Sequence, residues 1–117
     1  MLAPHNRAMD ATPVLLVLTT VATRGDALAL AQAMVEGRFA ACAQIGAIDS
    51  VYRWQGAVVQ EGEFRVLFKT TAARYAALEA ALRERHPYQL PAIVAVPVSE
   101  AWAPFAEWLA EDSAPPG

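Results

Sequence analysis

Residues 40–71, AACAQIGAIDSVYRWQGAVVQEGEFRVLFKTT, decide how the chain folds. In the second half, EFRVLFKTT, the alternation is clean: Phe64, Val66 and Phe68 share one phase and Arg65, Leu67 and Lys69 the other, as in a strand with one face on a core. The first half, AACAQIGAIDSVYRW, alternates irregularly. Ala41, Ala43 and Ile45 hold one phase, whereas Ile48, Ser50, Tyr52 and Trp54 hold the other, and a bulge near Gly46 would reconcile the two. With a turn at Gln55 and Gly56, both halves are expected to form one long antiparallel hairpin.

Upstream, PVLLVLTT is a short continuous apolar run and reads as a strand buried on both faces. From Asp26, a good N-cap, Ala27, Leu30, Ala31 and Met34 recur at helical spacing, and Gly37 marks the end near Arg38. Downstream, AARYAALEAALRERH sets Tyr75, Leu78 and Leu82 on one helical face, and Pro87 stops it because proline has no amide hydrogen. AIVAVPV is a fourth strand, with Pro97 at its end or on a sheet edge. APFAEWLAED starts a short helix on Pro104 that is expected to bury Phe105 and Leu109.

The order is β-α-β-β-α-β-α, an α+β chain of the ferredoxin-like, split β-α-β kind with an additional C-terminal helix. Two helices cover one sheet face. The other face carries apolar side chains without a helix, and a second copy of the chain is the economical cover for it. Residues 1–13, with His5, are expected to be a flexible tail, residues 14–112 the domain, and residues 113–117 a second tail.

Composition agrees with one domain that associates. The chain has 117 residues, 56% of them hydrophobic and only 18% charged, and its mean hydropathy is +0.26. A net charge of −3 and scattered basic residues exclude a nucleic-acid stripe. Cys42 is the sole cysteine, which excludes an internal disulfide and suits a reducing cytoplasm. No run approaches the roughly 20 apolar residues of a membrane span, nor does the start read as a signal peptide. Walker, GxGxxG, HExxH and nucleophile-elbow patterns are absent, so no catalytic activity is expected.

The candidate residues each read two ways. His86 is a metal donor or titratable group, or a helix-end histidine that meets the last carbonyls. Cys42, flanked by alanines, reads as an inert buried thiol, with no basic neighbour in sequence. Glu61 and Glu63 project to one side and suit a hard cation, or are a solvated hairpin. Lys69 could hold an anion, with Thr70 and Thr71 beside it and Thr71 as a helix cap. Tyr52, Trp54 and Tyr88 are aromatic groups with polar tips, suited to partly buried interfaces.

AACAQI, SVYRWQG, FKTT, HPYQLP and a terminal EWL together resemble the CutA divalent-cation-tolerance family, from about Val14 to Leu109. The resemblance implies a ferredoxin-like homotrimer whose long hairpins pack sheets edge to edge around a threefold axis, similar in architecture to the PII signal transducers. It also implies binding of Cu(II) or another divalent cation. The family's copper ligands fall on Thr19, His86 and Ala92, where only the histidine is a strong donor. Tyr52, Trp54 and Tyr88 match positions that line or neighbour the cleft between subunits, and Lys69 and His86 are grouped with them as a small-ligand pocket. The resulting expectation is a cytoplasmic homotrimer for metal tolerance, with His86 as metal donor and no nucleic-acid or membrane partner. The alternative is a PII-like sensor of an organic anion, or a scaffold without catalysis.

Overall fold

The computed structural model describes residues 13–117, so His5 and all of the expected N-terminal tail but Pro13 lie outside the described residues. The elements are β1 (Val14–Val21), α1 (Arg24–Glu36), β2 (Cys42–Trp54), β3 (Ala57–Thr71), a single 3₁₀ turn (Ala72–Arg74), α2 (Tyr75–Arg85), β4 (Val94–Pro97) and α3 (Ala103–Ser113). They follow the expected order. The four strands form one antiparallel sheet in the order β2-β3-β1-β4, which leaves β4, with Pro97 as its last residue, on an edge where a missing N–H costs no ladder bond.

Local chemistry explains most boundaries. The cap of α1 is Thr23, not Asp26: the Thr23 hydroxyl accepts the Asp26 N–H at 3.0 Å, and Asp26 sits inside the first turn where its carboxylate meets the positive end of the helix dipole. At the other end Gly37 is required by space, since a Cβ there would lie 2.6 Å from the Phe39 ring. The left-handed residue is Arg38, with φ 61°. His86 ends α2 in an extended conformation, as the residue before Pro87 must.

Helices α1 and α2 cover one face of the sheet. Val17, Val21, Val66 and Phe68 pack there against Leu30, Met34, Leu78 and Leu82, all fully buried or nearly so. The hairpin runs past this layer. Its register is continuous from Cys42↔Lys69 to Trp54↔Ala57, so there is no bulge at Gly46. The apolar phase changes for a different reason: Ala43 and Ile45 pack on the helical core, whereas from Ala47 onward that side of β2 is exposed and Ile48 and Ser50 on the opposite side become half-buried. The strand keeps its pairing and changes which face is covered. Gln55 and Gly56, with φ of 50° and 84°, close the hairpin in the left-handed conformation of a two-residue turn.

The sheet's second face carries Leu16, Leu18, Leu67, Val94 and Val96, which the register aligns in neighbouring strands. The expectation that no helix covers it is corrected at one end. There α3 lies against β3, the Lys69 ammonium stands 5.6 Å from the Phe105 ring centre, and Leu109 is fully buried. Phe105, expected inside, is over a third exposed. Arg38 ties down the end of α3: its Nε donates to the Ala114 carbonyl and its Nη2 to that of Glu111, both at 2.7 Å. Ser113, the first residue of the expected tail, is the buried last residue of this helix.

Candidate functional site

Past the end of α2 the chain doubles back across the sheet, and His86 is the pin of that reversal. Its Nδ1 accepts the Tyr88 N–H at 3.1 Å, and its Nε2 lies 2.9 Å from the Thr19 hydroxyl, 67 residues away in sequence. An Nδ1 that accepts leaves the proton of the neutral ring on Nε2, which therefore donates to Thr19. The residue is 9% exposed. Burial lowers its pKa from the ordinary value, opposed by a bond to the Thr20 backbone and by the charges of Asp26 and Glu63.

Tyr88 carries the construction forward. Its ring tilts against His86 with centres 5.0 Å apart, and its hydroxyl donates to Glu63 Oε2 at 2.6 Å. Glu63 is only 7% exposed although it stands on a hairpin strand. Two residues along the same side, Glu61 Oε1 accepts from the Tyr52 hydroxyl at 2.5 Å. That bond is the chief reason the Tyr52 phenol is pushed up to about 12. Burial first, then the bond to Glu63, raises Tyr88 above the ordinary phenol range.

Between the hairpin and the chain at 87–92 lies an open cleft of about 930 Å³, walled by Tyr52, Trp54, Tyr88 and Leu90 and floored by Glu61 and Glu63. Asp49 adds a third carboxylate, and none of the lining residues is Lys, Arg or His. The cleft is thus aromatic and acidic.

Within one chain the fold brings Tyr52, Trp54 and Tyr88 to one cleft. His86 stands behind the cleft rather than on its wall, supporting Tyr88. Lys69 is not part of the cleft within one chain: it is six residues from Glu63 on the same strand, about 20 Å at ~3.4 Å per residue, and it stands over Phe105 instead. Thr71 precedes the 3₁₀ turn without a side-chain capping bond, while Thr70 donates to the Phe39 carbonyl at 2.8 Å. Cys42 is half-buried, and its cross-strand partner is Lys69, a basic neighbour that sequence adjacency could not reveal.

The three positions matching the copper ligands do not fit a copper centre. Thr19 and His86 are bonded to each other, both imidazole nitrogens are engaged, and Ala92 lines the cleft with no donor atom. Among the described residues no three His, Cys, Asp or Glu side chains are placed to hold one ion. The residue that sequence reasoning undervalued is Glu63. Its spacing from Glu61 was legible, but its burial comes from residues 86–88 folding over it.

Residues 15–112 match the family model described as CutA1 divalent ion tolerance protein. The divalent-cation tolerance protein CutA of Thermus thermophilus is 41% identical over 98 residues, spanning 83% of this chain and 95% of the relative. The solved CutA of Synechococcus elongatus PCC7942 superposes with a TM-score of 0.85 at 40% identity, covering 88% of this chain and 92% of that one. A second structure of the Synechococcus protein, complexed with a Bis-Tris molecule, superposes with a TM-score of 0.81 at 39% identity, covering 86% and 94% of the two chains.

Proposed function

Because the chain belongs to the CutA1 divalent ion tolerance family, we propose that it serves divalent-cation tolerance as a cytoplasmic homotrimer that takes up the cation at the acidic cleft. The observation that carries this reading is that Glu61 and Glu63 face one cleft without a basic side chain in its lining. Carboxylate oxygens suit hard divalent ions and also accept Cu(II). One chain offers too few converging donors for tight binding, so a neighbouring copy completes the shell. Assembly is supported by the exposed Val94 and Val96 on the open face and by β2, a strand of 13 residues hydrogen-bonded to another strand on one side only. The single unpaired cysteine supports a reducing compartment.

Copper bound through His86 is the finer alternative, and it requires the imidazole to give up Tyr88 or Thr19. Calorimetric titration with Cu(II), beside light scattering for the mass of the assembly, separates the cases. Saturable heat is expected in the native protein, retained in His86→Ala and lost in the Glu61→Gln/Glu63→Gln pair. The reverse pattern moves the donor to the imidazole and sinks the carboxylate reading.

The second reading, a PII-like small-molecule sensor without catalysis, is favoured by a cleft far larger than one ion. It draws support too from the Synechococcus relative solved with Bis-Tris. An organic anion is a poor match for a lining with three carboxylates and no cation.

A further inference from the structure

We infer that the cleft between the hairpin and residues 87–92 takes a small organic ammonium ion, with Glu63 as its counter-charge and Trp54 and Tyr88 as its aromatic walls.

Glu63 is the starting point. Within one chain it is 93% buried, and among the described residues its one hydrogen-bond donor is the neutral Tyr88 phenol and no lysine, arginine or histidine lines the cleft around it. Its second oxygen has no hydrogen-bond partner among the described residues, so it is open to a ligand's donor. No buried side-chain oxygen among the described residues lacks a hydrogen-bond partner, so the free oxygen of Glu63 opens to water in the cleft, where a positive ligand can meet it.

Shape and chemistry then choose between kinds of cation. A bare metal ion needs several converging donors, and since no three acidic, histidine or cysteine side chains among the described residues supply them, a metal here depends on a second copy of the chain. An ammonium group asks for less: one carboxylate and the π-faces of aromatic rings, which attract cations most strongly where water is partly excluded. Trp54 presents an indole that is 44% exposed, and Tyr88, bonded at its hydroxyl, is held against rotation. A cleft of about 930 Å³ is at the upper end of small-molecule sites and has room for the organic part of such a ligand. Leu90 and Val51 offer apolar contact, and the Ser50 hydroxyl and Asp49 carboxylate are available to polar substituents. The inference shares the cleft with the metal reading and does not depend on it.

The test uses the assembled full-length protein in amine-free phosphate buffer with a chelator, so that no divalent ion takes part. Choline is titrated calorimetrically beside the neutral alcohol in which carbon replaces its nitrogen. Choline is expected to bind saturably, and the neutral alcohol, Glu63→Gln and Trp54→Leu are each expected to weaken binding about tenfold. Trp54 lies at the hairpin tip, outside the core, so that variant reports on the site even where Glu63→Gln unfolds. Equal binding of the two alcohols, unchanged choline affinity in both variants, or no saturable choline heat overturns the inference. Choline binding with no Cu(II) heat overturns the metal reading alone.

Discussion

The bond from Tyr88 to Glu63 joins the reversal after α2 to the hairpin, and Tyr88→Phe removes it without changing the ring. A hydrogen bond to an ionised partner contributes about 1.5–3 kcal/mol. Tyr88 is half-exposed, and water can replace part of what is lost, so the lower end applies: about 1.5–2 kcal/mol. Glu63→Gln acts differently. The amide oxygen still accepts from the phenol, and removing a buried charge that has no counter-ion offsets the weaker bond, so the net change is within about 1 kcal/mol. The two substitutions therefore should not add, and the double-mutant cycle should show a coupling of about 1–2 kcal/mol. Urea unfolding followed by tryptophan fluorescence measures this, at one fixed protomer concentration so that the proposed assembly contributes equally to every variant. A double variant equal to the sum of the singles within about 0.5 kcal/mol refutes the coupling. A Tyr88→Phe protein as stable as the native one would show that the 2.6 Å contact does not hold this segment in solution.

The neutral His86 makes a second expectation about acidity. Its folded pKa lies below the ordinary 6.5, so the unfolded chain takes up a proton first; the stabilisation is complete above about that pH and is lost as pH falls toward the folded value. Melting temperatures from pH 8 to 5 should fall in the native protein and fall less in His86→Gln, and parallel curves would remove the histidine from the account. At the hairpin tip Gln55 holds a φ of 50°, which glutamine adopts at a cost, and Gln55→Asn should stabilise by about 0.5–1 kcal/mol in urea unfolding. A destabilised variant would mean that the Gln55 side chain itself supports the tip.

Reading the residues in order recovered the elements because each is marked by local chemistry: alternation in Phe64, Val66 and Phe68, helical spacing in Leu78 and Leu82, and stops at Gly37 and Pro87. What misled was local evidence with a distant cause. The phase change in β2 resembled a bulge because the sequence does not say where the helical layer ends. Asp26 resembled a cap, yet Thr23 had the better position for its hydroxyl. The site was legible as a set of aromatic residues and a carboxylate pair. The burial of Glu63 and the engagement of the His86 Nε2 arise from contacts 25 and 67 residues apart, which no spacing rule encodes. Lys69 shares a strand with Glu63 but stands about 20 Å along it, a separation that strand phase alone does not convey.

The position of β1 bears on how the polypeptide acquires its shape during synthesis. Among the described strands the first in chain order occupies an interior place in the sheet, and both of its hydrogen-bonded neighbours, Ala57–Thr71 and Val94–Pro97, are translated later. For more than thirty codons a greasy segment waits with only the helix that follows it for shelter. Such dependence on remote pairing slows closure and favours a nascent chain that is guarded by a chaperone until Val94–Pro97 has emerged.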